Sequence, residues 1–533
     1  MAIGPPARPA LTDSANPPGA DAAGAAAAGI GRRSISAVLW GTLGAFVRTG
    51  MQIVSQVVLA RILGPEQYGL FAMGMVVVLF STFFADVGLA YGLIQRKEVV
   101  DRDIRFVFTW QIVLGSVVTL TLIALSGWAG RFYDDERLTQ VVMWLALTCL
   151  INSMGATAAC LLRRELDFKT INVAAMVSYA VGFLALGIPM AMMGYGVQAL
   201  VVASLTQSFL AAAICYAKMR HSIVPLFWQD DAIGILRFGV TAFATNLINW
   251  VMSSLDRLVV GRMMSLTAAG LYSTVSNFIT SPSIQLLALL QSVLYSASSR
   301  VQDSPDQLRR GFRTMFSVVA LFIGPVFLSI AAVAPTVMAA VYGAKWIGGE
   351  VVLAPLAAAI PGYLLMGMAV PVLWASGNVT KEFLLQIPIA IVWMVALLLI
   401  SRTGSLAALS WAVCALYYLR AAVIVGATLK AVNMRAFEIP QLLQAGVAAT
   451  AIVAGTAWLT EQALLASLPS APIRLLAIAS VCAVALPLAV RLVSQWVQPE
   501  VIDVISRLAD RAPRQIGPRI TRLMFGSRAA APA

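Results

Sequence analysis

Residues 59–71 read LARILGPEQYGLF, and residues 260–272 read VGRMMSLTAAGLY. At a single offset of 201 residues Arg61 falls on Arg262, Gly69 on Gly270, Leu70 on Leu271 and Phe71 on Tyr272. Each motif closes one apolar run and opens the next, so the chain repeats a unit of its own architecture. Six apolar spans fit within that offset, and an even number returns the chain to the same side of a bilayer. The repeat therefore predicts two six-helix lobes related by an axis along the membrane normal, with a substrate path between them.

Composition supplies the bilayer. The chain is 60% hydrophobic and 11% charged, with mean hydropathy +0.85, where soluble domains carry about a quarter charged residues. A helix needs roughly 20 mostly apolar residues to cross the hydrocarbon core. Such runs begin near residues 36, 69, 104, 139, 170, 195, 233, 267, 311, 350, 382, 405, 441 and 472. The fold expected is an all-α polytopic integral membrane protein of about 14 transmembrane helices: two parallel-repeat six-helix lobes plus two C-terminal helices. Twelve spans also fit, because the segments between 350 and 430 and the last two are alanine-rich and weakly delimited.

The expected organisation is a disordered cytoplasmic tail over 1–33, lobes over 34–217 and 218–434, two additional helices over 435–497, and a basic amphipathic tail over 498–533. Residues 1–31 are rich in Ala, Pro and Gly and cannot bury enough surface to fold. With the N-terminus inside, the cytoplasmic loops carry about 16 Lys and Arg against about 7 in the opposite loops. Both termini are then cytoplasmic, and the net charge of +13 is mostly a topology signal rather than a mark of nucleic-acid binding. After Pro499, Val501, Ile505 and Leu508 recur at helical spacing beside Arg507, Arg511 and Arg514. Such a segment suits either an anionic inner leaflet or a solvated tail.

Loops of no more than roughly 20 residues leave no aqueous domain for soluble catalysis. There is no nucleophile elbow, paired acidic loop or G-x-x-x-x-G-K-[ST] motif, so the chain does not read as an enzyme. Cys149, Cys160, Cys215, Cys414 and Cys482 show no metal-ligand spacing and read as small apolar fillers, with no metal implied. His221, the sole histidine, falls in an expected cytoplasmic loop.

Polar residues inside the spans carry the functional reading. On the first span Gly44, Arg48, Gln52 and Gln56 follow at intervals of four, with Ser55 adjacent, and so share a helix face. On the seventh, Asn246, Asn249, Ser253, Asp256 and Arg257 do the same at steps of three and four. The repeat offset puts Asn249 opposite Arg48, Ser253 opposite Gln52 and Asp256 opposite Ser55. An ion at mid-bilayer costs at least about 2.5 to 3.5 kcal/mol, so it faces protein or a wet cavity. Helix glue through Gln and Asn partners is the alternative. Arg48, Arg257, Arg61 and Arg262 outnumber Asp86 and Asp256 on or beside these faces, and guanidinium suits phosphate, so the path should prefer an anion. Asp86 and Asp256 are candidates for coupling to a proton or cation gradient; no other cofactor is implied. Arg237, Arg420 and Arg491 read as snorkelling near span ends.

The strings NWVMSSLDRLVVGRMMSLTAAGLYSTVSNFITSP, LYSASSRVQDSPDQLRRGF, VVLARILGPEQYGLFAMGMVVVLFSTFFADVGLAYGLIQR and VYGAKWIGGEVVLAPLA resemble the polysaccharide transporters, the Wzx-type lipid-linked oligosaccharide flippases. The resemblance covers roughly residues 34–430. It implies membership of the multidrug/oligosaccharidyl-lipid/polysaccharide exporter superfamily. Asp256 and Gly261 fall on that family's acidic and glycine positions, and Gly69 and Gly270 on its loop glycines. Arg48 matches no fixed position. The implied activity is translocation of undecaprenyl-diphosphate-linked oligosaccharide repeat units from the cytoplasmic to the periplasmic leaflet of a bacterial inner membrane, by alternating access. The products served would be exopolysaccharide, O-antigen of lipopolysaccharide, or capsule. Implied partners are the lipid-linked oligosaccharide, membrane lipid, and polysaccharide polymerase and chain-length machinery. In this reading Arg48, Arg257, Arg61 and Arg262 hold the anion, and Gln52, Gln56, Asn246, Asn249 and Ser253 the hydroxyls. A lipid-linked peptidoglycan precursor flippase and a cation-coupled drug exporter are the alternatives, the second disfavoured by the arginine excess.

Overall fold

The computed structural model describes residues 44–86, 89, 93, 99–229, 250, 254–298, 305–510, 524 and 525. Helices account for nearly all of them. The first half contains α1 (Gly44–Leu63), α2 (Pro65–Asp86), α3 (Asp101–Phe132), α4 (Arg137–Arg164), α5 (Phe168–Met192) and α6 (Val197–Lys218). The second contains α7 (254–263), α8 (Leu266–Ser298), α9 (305–332), α10 (Glu350–Ala375), α11 (Val379–Ser401) and α12 (Leu406–Ala431). Then follow α13 (Glu438–Leu465), α14 (Ala471–Leu492) and a short amphipathic α15 (Pro499–Asp510). Twelve described helices are long and apolar enough to cross a membrane. The expected seventh span lies largely outside the described residues. α8, at 33 residues, is long enough to cross but is interrupted by the polar face described below.

The two halves pack alike. In the first lobe α2 lies on α4, and α4 on α3 and α6; in the second α8 lies on α10, and α10 on α9 and α12. Each pairing in one lobe is thus matched by the pairing six helices later, as the repeat requires. Lipid tails are as apolar as leucine, so close backbone approach at small residues supplies much of the helix association. Gly155 faces Ala212, Gly182 faces the Ala203 carbonyl, and Gly446 faces Ala320. α13 packs on α9, and α14 on α13 and on the short helix Ala334–Val341, so this pair lies against the outside of the second lobe.

Across the lobe boundary α2 packs against α8. This contact is built on the two glycines of the repeat. Gly69 abuts the carbonyl of Leu266, and Gly270 abuts the carbonyl of Pro65. Residues 65 and 266 are themselves one repeat offset apart, so the crossing is a pseudo-two-fold contact with the axis running between the glycines. Any side chain larger than hydrogen at either position would overlap the opposite backbone.

Two expectations need correction. Arg420 does not snorkel at a span end: it stands in the middle of α12, and its Nε donates to Gln386 Oε1 at 3.0 Å, while Gln386 Nε2 donates to Glu382 Oε1 at 2.6 Å. A mid-helix guanidinium cannot reach an interface, so a polar chain on α11 satisfies it. The described part of the apolar face of α15 packs on protein. Val501 and Ile502 are buried against Leu321 of α9 and Ala445, Ala449 and Val453 of α13. The tail residues 511–523 and the expected 1–33 tail lie outside the described residues.

Candidate functional site

α1 brings Gln52, Ser55 and Gln56 against α8, whose own face carries Ser273, Thr274, Asn277 and Ser281 at three- and four-residue steps. With Tyr68, Tyr179 and Arg257 they line a cavity of about 350 Å³ between the lobes. Gln56 Nε2 donates across the lobe boundary to the Thr274 carbonyl at 2.8 Å, and Tyr68 Oη donates to the Gln56 carbonyl at 3.3 Å. The Ser55 and Tyr179 hydroxyls bond to each other. Arg257 Nη2 donates to Asn277 Oδ1 at 3.0 Å. Gln56 and Arg257 are equivalent under the repeat offset, so each lobe contributes the same position to the cavity wall.

Arg257 is the one charged side chain among the described lining residues. Asp256 beside it is otherwise engaged. One carboxylate oxygen accepts the Arg257 backbone N–H at 2.9 Å and the other accepts the Tyr272 hydroxyl at 2.6 Å. The Arg257 charge therefore meets a neutral amide rather than a carboxylate. Arg257 Nε, Ser273 Oγ and Thr274 Oγ1 are buried without a hydrogen-bond partner among the described residues. Unmade bonds of this kind at low dielectric cost about 1 to 3 kcal/mol each, a cost that a ligand presenting acceptors would relieve. The cavity is chemically a donor-rich, cationic pocket.

One end of this cavity is sealed. α1 runs toward the Gly69–Gly270 crossing while α2 and α8 run away from it, which places the cavity on the side from which α1 comes. Beyond the crossing, Arg61 Nε donates to the Val341 carbonyl at 2.7 Å and its Nη2 to the Ala340 carbonyl, capping the short helix of the second lobe. Trp346 Nε1 donates to the Ala60 carbonyl at 2.9 Å and Lys345 Nζ to the Ile62 carbonyl at 2.7 Å. The Tyr68, Trp346 and Tyr342 rings pack together across the same seam. On the mirror side Arg262 Nη1 meets Asp134 Oδ2 at 2.8 Å and lies over the Phe132 ring. Next to it Arg137 bonds Asp135 and Glu66, holding the Asp135 carboxyl below the usual range.

Of the residues singled out from the sequence, Gln52, Gln56 and Arg257 come together in the cavity. Arg61 and Arg262 do not line it. They stand past the glycine crossing, Arg61 about 7 Å of helix rise beyond Gln56, and each clamps the opposite lobe. Arg48 lies one turn from Gln52 on the far side from the seam; it is half-buried, and its Nε has no partner among the described residues. Asn246, Asn249, Ser253 and the side chain of Asp86 lie outside the described residues. The α8 face was missed, although its Ser, Thr and Asn at helical spacing within STVSNFITS carried the signal. Tyr68 and Tyr179 gave none, because an aromatic in a span reads as core.

Residues 58–349 match the family model described as polysaccharide biosynthesis protein. The chain belongs to this family. Among curated relatives, it is 26% identical over 322 residues to the lipopolysaccharide biosynthesis protein WzxC of Escherichia coli (strain K12), covering 59% of this chain and 64% of that one. It is 24% identical over 386 residues to the teichuronic acid biosynthesis protein TuaB of Bacillus subtilis (strain 168), covering 72% and 79%. The match thus spans just under two thirds of WzxC. Among solved structures, the lipid II flippase MurJ in an inward closed conformation aligns at TM-score 0.63 and 13% identity over 83% of this chain and 98% of that one. An inward-facing MATE family transporter of the MOP superfamily aligns at 0.56 and 14%, over 72% and 94%. The fold of this polysaccharide biosynthesis family member is therefore the MOP transporter fold, and its family match runs from α1 through the glycine crossing to the seam at Trp346.

Proposed function

We propose that the protein is a flippase that carries a prenyl-diphosphate-linked oligosaccharide from the cytoplasmic to the periplasmic leaflet by alternating access between its two lobes. The observation that carries this reading is the interlobe cavity, closed at one end by the glycine crossing and lined by unpartnered donors around the charge of Arg257. Drawing a diphosphate and sugar hydroxyls through hydrocarbon would leave their charges and polar groups unsatisfied, and a donor-lined cavity removes that penalty. Arg257 pairs with the diphosphate or an acidic sugar, and Gln52, Gln56, Asn277 and the α8 hydroxyls take the sugar oxygens. At about 350 Å³ the cavity is near the small end of ligand sites, so a repeat unit of several sugars enters only as the lobes part. With both termini in the cytoplasm, as the Lys and Arg bias of the loops favours, the sealed seam faces the periplasm.

A cationic drug substrate fits poorly, because among the described residues the lining offers it a guanidinium and no free carboxylate. The test is made in cells lacking the protein and in cells complemented with wild type. The lipid-linked repeat unit should accumulate with its sugars facing the cytoplasm and clear on complementation. Accumulation on the periplasmic face would move the protein to a later step, and normal levels of that unit with arrested peptidoglycan synthesis would make the precursor lipid its substrate.

A further inference from the structure

The connection between the lobes leaves α6 at Lys218 and runs without helix over 221–229 along the first turns of α3. Its backbone is held there by side chains of α3. Arg105 Nε donates to the Val224 carbonyl at 3.0 Å, Leu226 N donates to Thr109 Oγ1 at 2.9 Å, and Trp110 Nε1 donates to the Phe227 carbonyl at 3.1 Å. Pro225 between them has no N–H to satisfy. Leu226 turns inward onto the cluster of Leu89, Leu93, Phe106 and Val107. Ile223, Val224, Phe227 and Trp228 turn outward and are 54–69% exposed. His221 fixes the start of the segment, packed edge-on between the rings of Phe108 and Tyr216.

The level of this segment in the bilayer follows from α3. Between Arg105 and Arg131, α3 carries no charged residue, a stretch long enough to cross the hydrocarbon core, so Arg105 marks one boundary. Trp110 stands about 7 Å of helix rise further toward the mid-plane. A segment whose carbonyls bond Arg105 and Trp110 therefore lies at and just inside that boundary. Extended backbone is tolerated at this depth only where protein satisfies its polar groups, which is what Arg105, Thr109 and Trp110 do. Exposed Arg102, Lys218 and Arg220 stand at the same end, where cations meet anionic headgroups.

We propose that residues 222–229 form a strap seated in the membrane interface at the α3 N-terminal side, the cytoplasmic leaflet in the proposed topology. Ile223, Val224, Phe227 and Trp228 enter the upper acyl-chain region, and Arg102, Lys218 and Arg220 contact anionic headgroups. The hinge between the lobes is then held by the bilayer instead of hanging in the cytosol. The inference rests on the membrane fold and is independent of the substrate.

The test uses the full-length protein with its five cysteines replaced, carrying Ile223→Cys or Phe227→Cys labelled with an environment-sensitive fluorophore. It is reconstituted in vesicles of phosphatidylethanolamine and phosphatidylglycerol. Lipids bearing a nitroxide near the top of the acyl chain should quench both labels, with blue-shifted emission, and aqueous iodide should not. Quenching by iodide alone would overturn the proposal, as would protection from both quenchers, which would mean that another part of the chain or a second copy covers the segment. Omitting phosphatidylglycerol should weaken the lipid quenching; no change would overturn the headgroup contacts.

Discussion

A methyl group added at Gly270 tests the seam directly. A β-carbon there would fall 1.8 Å from the Pro65 carbonyl oxygen, and one at Gly69 would fall 1.9 Å from the Leu266 carbonyl oxygen. Real contacts of this type need about 3 Å, so α2 and α8 must separate by roughly 1 Å at the crossing, and overpacking of that kind costs about 1 to 3 kcal/mol. The gain in helix propensity from Gly to Ala belongs to sealed and open states alike and cancels. At 1.4 kcal/mol per factor of ten, the ratio of open to sealed protein rises about 5- to 140-fold. The assay is the labelling rate of Ser273→Cys in the cavity, in a background lacking the native cysteines, by a membrane-impermeant maleimide added from the seam side. Labelling should accelerate by that factor in Gly270→Ala and stay unchanged in Gly127→Ala, where a β-carbon meets nothing within 4 Å. The Gly69→Ala/Gly270→Ala pair should fall short of additivity, because one separation relieves both overlaps. An unaltered rate in folded, inserted Gly270→Ala would refute the glycine crossing as the seal.

The same labelling assay should rank the clamps. Arg61→Ala removes two donors from the end of the short helix and should open the seam more than Arg262→Ala, whose ion pair is largely exposed and worth at most about 1 kcal/mol. Trp346→Phe removes one of two donors to the Ala60 carbonyl, which keeps the Gly64 N–H; a loss of about 0.5 to 1.5 kcal/mol should appear as faster labelling, and equal rates would deny the bond a role. His221 is pushed below the ordinary histidine value chiefly by burial, with the Ser222 carbonyl and Asp101 opposing. Its neutral form therefore adds stability that is full above about pH 6.5 and is lost as pH falls through the lower folded value. Thermal stability of wild type should drop more between neutral and acidic pH than that of His221→Phe, and parallel curves would exclude His221 as the source. Arg420→Ala removes the donor to Gln386, whereas Arg420→Lys keeps a charge there; thermal melting should show Ala as the more destabilised of the two.

The helix starts were legible because each span is a run of apolar residues bounded by charge or by Gly and Pro, and a bilayer permits little else. The parallel repeat was legible from Arg61, Gly69 and their partners 201 residues on. What those residues do was not. Gly69 and Gly270 read as loop glycines, and only the tertiary approach of α2 to α8 shows that each makes room for the other lobe's backbone. Arg61 and Arg262 share a helix with each polar stripe, which by spacing alone puts them on the same space; their position past the crossing turns them into clamps. Arg420 was misplaced although α12 begins where expected, because the helix runs on to Ala431, and where a helix ends decides whether an arginine is at an interface or at mid-membrane. Asp256 and Arg257 are adjacent in sequence, yet only Arg257 lines the cavity, since Tyr272 and the helix backbone take up the aspartate. Hydrogen bonding of that kind leaves no trace in spacing.

The central claim is that the interlobe cavity carries an anionic, sugar-bearing lipid across the membrane and that Arg257 holds it. The most direct test reconstitutes the purified protein in vesicles containing lipid-linked saccharide extracted from cells lacking it. The fraction of sugar reached by an impermeant oxidant or glycosidase is then followed with time. Wild type should move the lipid between leaflets, Arg257→Ala should not, and Arg257→Lys should recover part of the rate. Transport by Arg257→Ala at the wild-type rate would contradict the account.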